Sequence, residues 1–271
     1  MSRPISLLIP ALALLAVFFV VPILSVLAQS VSGEVGQTSG WAAYGKLLTD
    51  AYYLRIFAQT FIFSLVLTAI TLVLAYPLAS FIARTQAWER NFVIFMVIAP
   101  LLVSMVVRSY GWQLILSNRG LLNTLLSSLG LDPIPFMSGW TAVVIASVHV
   151  LLPFAVISIA GVLSNLDRSV EESAAVLGAS PRRVFFLVTL PMAMNGLLTA
   201  ATFVFLLAMG SFVTIMMLGG RGTMVVPLLI YQQVTITYDQ AFASSLAAIL
   251  MIVTLALLAA QFRLVRKSRT A

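Results

Sequence analysis

Six apolar stretches, each long enough to cross a bilayer, dominate this 271-residue chain: Ile5–Ala28, Phe57–Ala83, Phe92–Ile115, Trp140–Val162, Met192–Leu218 and Phe242–Phe262. An α-helix rises about 1.5 Å per residue, so ~20 residues traverse a hydrocarbon core roughly 30 Å thick. Lipid offers no partner to a bare peptide group, so every inserted stretch has to be helical. A composition of 61% hydrophobic and 8% charged residues lies outside the range of soluble domains. The expected fold class is therefore an all-α integral membrane protein with six transmembrane helices, a single domain over residues 1–271. The first stretch follows Arg3 and contains Val26-Leu27-Ala28, a passable cleavage sequence. At 24 residues it exceeds the ~7–15 of a signal h-region, which predicts a retained span.

Six spans place both termini on one side. Arg3, Arg84, Arg90, Arg168, Arg182, Arg183, Arg263, Arg266, Lys267 and Arg269 then share that side, against Lys46, Arg55, Arg119 and Arg221 opposite. Ten against four predicts cytoplasmic termini. The net charge of +7 thereby reflects topology and contact with anionic lipid, not nucleic-acid binding. The chain has no cysteine, which excludes disulfides and thiolate metal sites. Between spans, the connector from Gln29 to Ile56 reads as solvated, and that from Gly219 to Ala241 as a loop. Residues Gly120 to Leu129 carry helical apolar spacing and predict a short helix at the membrane surface. Pro77, Pro100 and Pro153 lie within spans and predict kinks or local loosening.

The loop between the fourth and fifth spans, residues 164–191, is polar and compact. Ser169 with Glu172 three residues on fits a capping box, so a helix is expected from near Val170. Val170, Ala174 and Leu177 share one face. Gly178 sits where a left-handed residue ends a helix, and Ser180-Pro181 restarts one. Leu190-Pro191 marks the expected junction with the fifth span. Capping and helix termination alone account for these residues locally. Ala174, Ala175 and Gly178 nevertheless leave a smooth surface that a second protein can approach, which nothing in the membrane requires.

This pattern resembles the EAA loop of the inner-membrane permeases of binding-protein-dependent ABC importers: Glu-Ala-Ala, three residues, Gly, nine residues, Ile-x-Leu-Pro. Glu172, Ala174, Gly178, Leu190 and Pro191 match at the same spacing, with Ser173 for the middle Ala and Val188 for the Ile. Arg108-Ser109-Tyr110-Gly111-Trp112, Asn118 to Asn123, Leu151-Leu152-Pro153-Phe154 and Leu218-Gly219-Gly220 are similar to the spermidine/putrescine branch. The resemblance implies a type I permease of the bacterial inner membrane, moving a polyamine or a similar small organic compound. It implies that Glu171, Glu172, Ala174, Ala175, Gly178, Ala179, Ser180 and Pro181 form a coupling helix that docks on an ATPase subunit. The implied partners are ABC ATPase subunits carrying ATP and magnesium, a second permease in a heterodimer, and a periplasmic substrate-binding protein. No catalytic residue, cofactor or metal is expected on this chain. Gly40 to Lys46 mimics a phosphate loop, but Leu47 stands where a magnesium-binding hydroxyl belongs.

Two other readings stay open at this point. An ion-coupled carrier needs intramembrane carboxylates, and all eight acids of this chain fall in the connectors. Among span interiors only Arg108 and His149 are ionisable; a lone His is usually a helix–helix hydrogen-bond partner. A non-transporting scaffold that recruits a cytoplasmic protein through the hairpin is the third reading. For a path or gate the candidates are Arg108, Tyr110, Trp112, His149, Ser211, Phe212 and Thr214. Arg108 can equally snorkel, and Tyr110 and Trp112 can belong to an interfacial belt. Gly210 to Thr214 is a small, polar interruption of an apolar helix, of the kind that faces a cavity or a neighbour. Relatives in the spermidine/putrescine branch often carry an acid where Ser211 stands, so a polyamine path here lacks one expected anion. Aromatic faces or acids of a second permease can replace it.

Overall fold

The structure, a computed structural model, describes residues 10, 12–32, 40–137, 139–220 and 222–268, with side chains as far as residue 263. The start of the first predicted span, with Arg3, Glu34, Arg221 and Arg269, lies outside the described residues. Helix α1 (Leu12–Val31) is followed by α2 (Gly40–Thr49), α3 (Ala51–Arg84), α4 (Ala87–Leu102), α5 (Met105–Leu116), α6 (Leu121–Ser128) and α7 (Trp140–Leu163). Then come α8 (Arg168–Val176), α9 (Pro181–Met209), α10 (Val213–Leu218), α11 (Val226–Gln232) and α12 (Gln240–Ser268). Helices α1, α3, α7, α9 and α12 are each long and apolar enough to cross a membrane, and α4 with the segment from Met105 makes a sixth, bent span. The exposed surfaces of these helices are apolar: Phe18, Val73 and Leu187 are each more than two-thirds exposed. Such faces are stable only against lipid or another apolar surface.

The chain divides into two compact units, residues 1–59 with 225–257, and residues 60–224 with 258–271. In the first unit the close approach of α2 to the end of α1 requires Gly40, where a Cβ would collide with the Ser30 and Val31 backbone. Tyr44 donates to Ser30 Oγ at 2.8 Å, and Ser245 donates to the Ser30 carbonyl at 3.1 Å. Tyr53 packs edge-on against Phe242, and the Lys46 ammonium lies 5.7 and 5.6 Å from the two ring centroids. In the second unit α9 packs on α7 through a stripe of small buried residues, Ala193, Gly196, Ala200, Val204 and Ala208. At Gly196 any side chain would strike Val162. Small residues let helices approach in a setting where lipid competes for apolar surface. On α3, Thr60, Ser64, Thr68 and Thr71 are buried, and Ser64 and Thr68 return their hydroxyl protons to carbonyls one turn back.

Four segments differ from the sequence expectation. The third span is not one helix: α4 closes with a 3₁₀ turn at Ala99–Leu102, and the chain bends by 100° before Met105. Pro100 has no N–H for the ladder, and Val103 and Ser104 adopt extended backbone. The fifth span starts eleven residues early, at Pro181, and runs unbroken to Met209. A π turn at Phe185–Thr189 precedes Pro191, whose ring excludes the carbonyl one turn back. The connector from Gln29 to Ile56 contains helix α2, which buries Ala43 and Leu47. Within Gly219 to Ala241, α11 and a π turn at Gln233–Thr237 form helix where a loop is expected, ended by left-handed Tyr238 at φ 57°. Helix α6 forms where predicted, and α3 and α7 continue through Pro77 and Pro153.

Candidate functional site

The polar hairpin begins at Asp167, whose carboxylate accepts the Ser169 backbone N–H at 2.9 Å. That bond holds the Asp167 carboxyl below its usual range. Asp167 thus caps α8, and the Ser169–Glu172 capping box does not form. The helix starts at Arg168, because the Asp167 carboxylate, one residue before the first turn, accepts the otherwise free Ser169 N–H of that turn. The other end is as the sequence predicts. Gly178 has φ +87°, its N–H reaches the Ala175 carbonyl at 3.0 Å, and the Ala179 N–H reaches Ala174 at 3.1 Å. This paired closure needs a residue free of left-handed strain. Pro181 then opens α9, with the Ser180 carbonyl accepting from Val184.

One side of α8 is fastened. Arg84, in the last turn of α3, donates from Nη2 to both Glu171 oxygens at 2.8 and 2.9 Å. Thr189, in the π turn of α9, donates to the same carboxylate at 2.5 Å, and Arg168 donates to the Ala83 carbonyl at 2.9 Å. Tyr76 of α3 meets Phe185 edge-on. Glu171 therefore joins the hairpin to two long helices at once. The other side is open: Glu172, Ala175, Gly178, Ser180 and Pro181 are exposed, and Val176 and Leu177 are 87% and 88% exposed. Ala174 and Ala179 are half-buried beneath them.

A second arrangement forms where α4 and α9 break. A cavity of about 410 Å³ is lined by Leu101, Met105 and Arg108, by Ser147, Val150, Leu151 and Phe154 of α7, and by Leu207, Gly210 and Ser211. The Arg108 guanidinium donates from Nη2 to the Val103 carbonyl at 3.0 Å, in the extended stretch before α5. Its Nε and Nη1 are shielded from solvent and meet no acceptor, and the buried Ser147 hydroxyl also lacks a partner. Of the seven path or gate candidates, this cavity gathers Arg108 and Ser211. Tyr110 is exposed, and Phe212 is half-buried at the break. Trp112 donates from Nε1 to His149 Nδ1 at 3.2 Å, so a neutral His149 ring carries its proton on Nε2. Thr214 is fully buried, 3.4 Å from the Ser109 hydroxyl, where it joins α10 to α5. Sequence reasoning missed Ser147. Its signal was a lone hydroxyl four and seven residues before Leu151 and Phe154, on the same helical face.

Residues 75–270 match the family model described as binding-protein-dependent transport system inner membrane component. The chain is 32% identical over 212 residues to the spermidine/putrescine transport system permease protein PotB of Escherichia coli K12, covering 78% of this chain and 77% of PotB. It is 26% identical over 269 residues to PhnU of Salmonella typhi, a permease named for a 2-aminoethylphosphonate transport system, covering 94% and 89% of the two chains. The fold is that of a chain in the crystal structure of a bacterial alginate ABC transporter, with TM-score 0.78 at 19% identity over 97% of this chain and 93% of that one. With its apolar spans and its polar hairpin, the chain belongs to the binding-protein-dependent transport system inner-membrane components and is the permease subunit of an ABC importer.

Proposed function

We propose that this permease works as one half of a transmembrane pair beside a second, similar permease, and that two ATPase subunits grip the two hairpins. ATP and magnesium belong to those subunits, and the role of this chain is mechanical. Both termini face the cytoplasm, as the ten-to-four distribution of basic residues favours. A periplasmic binding protein delivers the solute on the opposite side, and alternation between two openings of the pair passes it through. The solute is small, hydrophilic and organic. The names of the two relatives give spermidine, putrescine and 2-aminoethylphosphonate, which share a short chain with a protonated amine. A polyamine or a similar amine is the class that these names support.

The hairpin carries this reading. It is tied by Glu171 to the ends of two spans, while Glu172, Val176 and Leu177 project away from the fold. An element that is rigidly joined to the spans and apolar at its free tip suits the transmission of force from another protein. The test is Glu172→Lys in the assembled transporter. Uptake driven by ATP should fall at least ~30-fold, about 2 kcal/mol of lost interface energy, while the chain stays inserted. Unchanged uptake in that variant removes the hairpin tip from the coupling.

A further inference from the structure

The geometry points to the Arg108 cavity as a binding site for the oxyanion, carboxylate or phosphonate, of the transported solute. This rests on the permease reading above and narrows its solute class: the amine carries an acidic group as well. A guanidinium has five N–H donors and no acceptor, and it stays charged at any physiological pH. Here Nη2 reaches the Val103 carbonyl, whereas Nε and Nη1 are enclosed without an acceptor. The Ser147 hydroxyl, equally enclosed and unpartnered, lines the same cavity, and Ser211 adds a second hydroxyl at the break of α9. No acid is among the described residues that line it. The remaining walls are apolar, Leu151 and Phe154 among them, so a charge placed here is poorly screened.

Buried polar groups are ordinarily paired, and an intramembrane cation pairs with an anion or faces a water-filled cavity. Among the described residues no anion meets Arg108, while the donors and the space are present. A carboxylate or phosphonate supplies two or three acceptor oxygens to such a fork. A polyamine without an acid would bring like charge to Arg108 and leave its donors open. At about 410 Å³ the cavity holds a small organic molecule.

The absence of native cysteine permits a direct reading of the cavity's preference. Ser211→Cys in the complete transporter is exposed to two thiosulfonate reagents of equal size, one sulfonated and one quaternary-ammonium. The sulfonated reagent should modify it at least tenfold faster. Arg108→Gln should abolish that preference, Arg108→Lys should keep most of it, and millimolar methylphosphonate, but not methylamine, should protect the thiol. A preference for the cationic reagent overturns the inference, as a carboxylate reaching in from the second permease would produce it. So does a preference that Arg108→Gln leaves intact, or a thiol that neither reagent reaches until the protein is denatured. The reactions are run with and without added phospholipid. An anion preference seen only after lipid removal would assign Arg108 to a headgroup phosphate and overturn the solute site. ATP hydrolysis stimulated by the binding protein, measured on the same samples, reports the permease reading separately.

Discussion

Arg84 and Arg108 both sit in the second compact unit, and their guanidinium groups meet opposite circumstances. Arg84 reaches a carboxylate through two hydrogen bonds, and that carboxylate in turn receives the Thr189 hydroxyl. Arg108 has one carbonyl and two enclosed donors with nothing to bind. The Glu171 side of the hairpin is thus satisfied among the described residues, while its other side leaves Glu172, Val176 and Leu177 exposed, with Arg182 and Arg183 beyond them. The cavity is electrostatically incomplete among the described residues, and the solute is the partner proposed for it. On the reading proposed above, internal satisfaction belongs to the part that transmits force and its absence to the part that selects.

Five substitutions sharpen or break this contrast. The largest effect belongs to Glu171→Ala, which strips partners from Arg84 and Thr189 together. Arg84 is 51% exposed, so solvent screens part of the loss and about 1–2 kcal/mol remains. The hairpin is then free to move without the spans, so ATP hydrolysis should continue while uptake drops about tenfold, measured side by side in proteoliposomes. Next is the pair Arg108→Leu and Arg84→Leu, read by thermal unfolding of the purified complex. Removing unpaired enclosed donors at 108 should stabilise by about 1 kcal/mol, whereas removing Arg84 should destabilise by about 1 kcal/mol. Equal signs would erase the distinction between the two sites.

Gly178→Val places a β-branched residue at φ +87°, a strain of roughly 1–2 kcal/mol confined to the hairpin turn. Protease sensitivity at residues 176–181 should rise, with the spans unaffected. The smallest effect concerns Asp167. Its folded carboxyl is held low by the Ser169 N–H, so the stability it adds is present above the ordinary carboxylate pKa and is lost as pH falls through the lowered folded value. Asp167→Asn keeps an acceptor at the cap and should flatten that acid-side dependence of hairpin protection, followed by hydrogen exchange between pH 5 and pH 3. A dependence that survives in the Asn variant would place the responsible carboxylate elsewhere.

Much of this architecture was legible because lipid imposes simple rules. Long apolar runs located the spans, Gly178 located the left-handed turn, and Gly210-Ser211 located the break in the fifth span. What escaped depends on competition or on distant partners. Asp167 and Ser169 both have the chemistry of a cap, and only the folded backbone decides between them. Glu171 looks like a neighbour of Glu172 with no separate duty until Arg84, 87 residues away, is brought beside it. Pro100 announces an irregularity but not a 100° bend, since tertiary packing determines how far a loosened helix turns. Helices α2 and α11 hide in connectors because their apolar faces are short and flanked by Gly, Thr and Gln. The open donors of Arg108 are a property of what does not surround them, which no local pattern reports.

The central claim is that the tip of the hairpin is where an ATPase takes hold, and a cysteine at Leu177, 88% exposed in a chain with none of its own, addresses it directly. Leu177→Cys paired with single cysteines along the ATPase groove should give a disulfide-linked product during active uptake. Locking that link should stop transport, and reductant should restore it. Sustained uptake with no cross-link from residue 177 to any ATPase position would contradict the account.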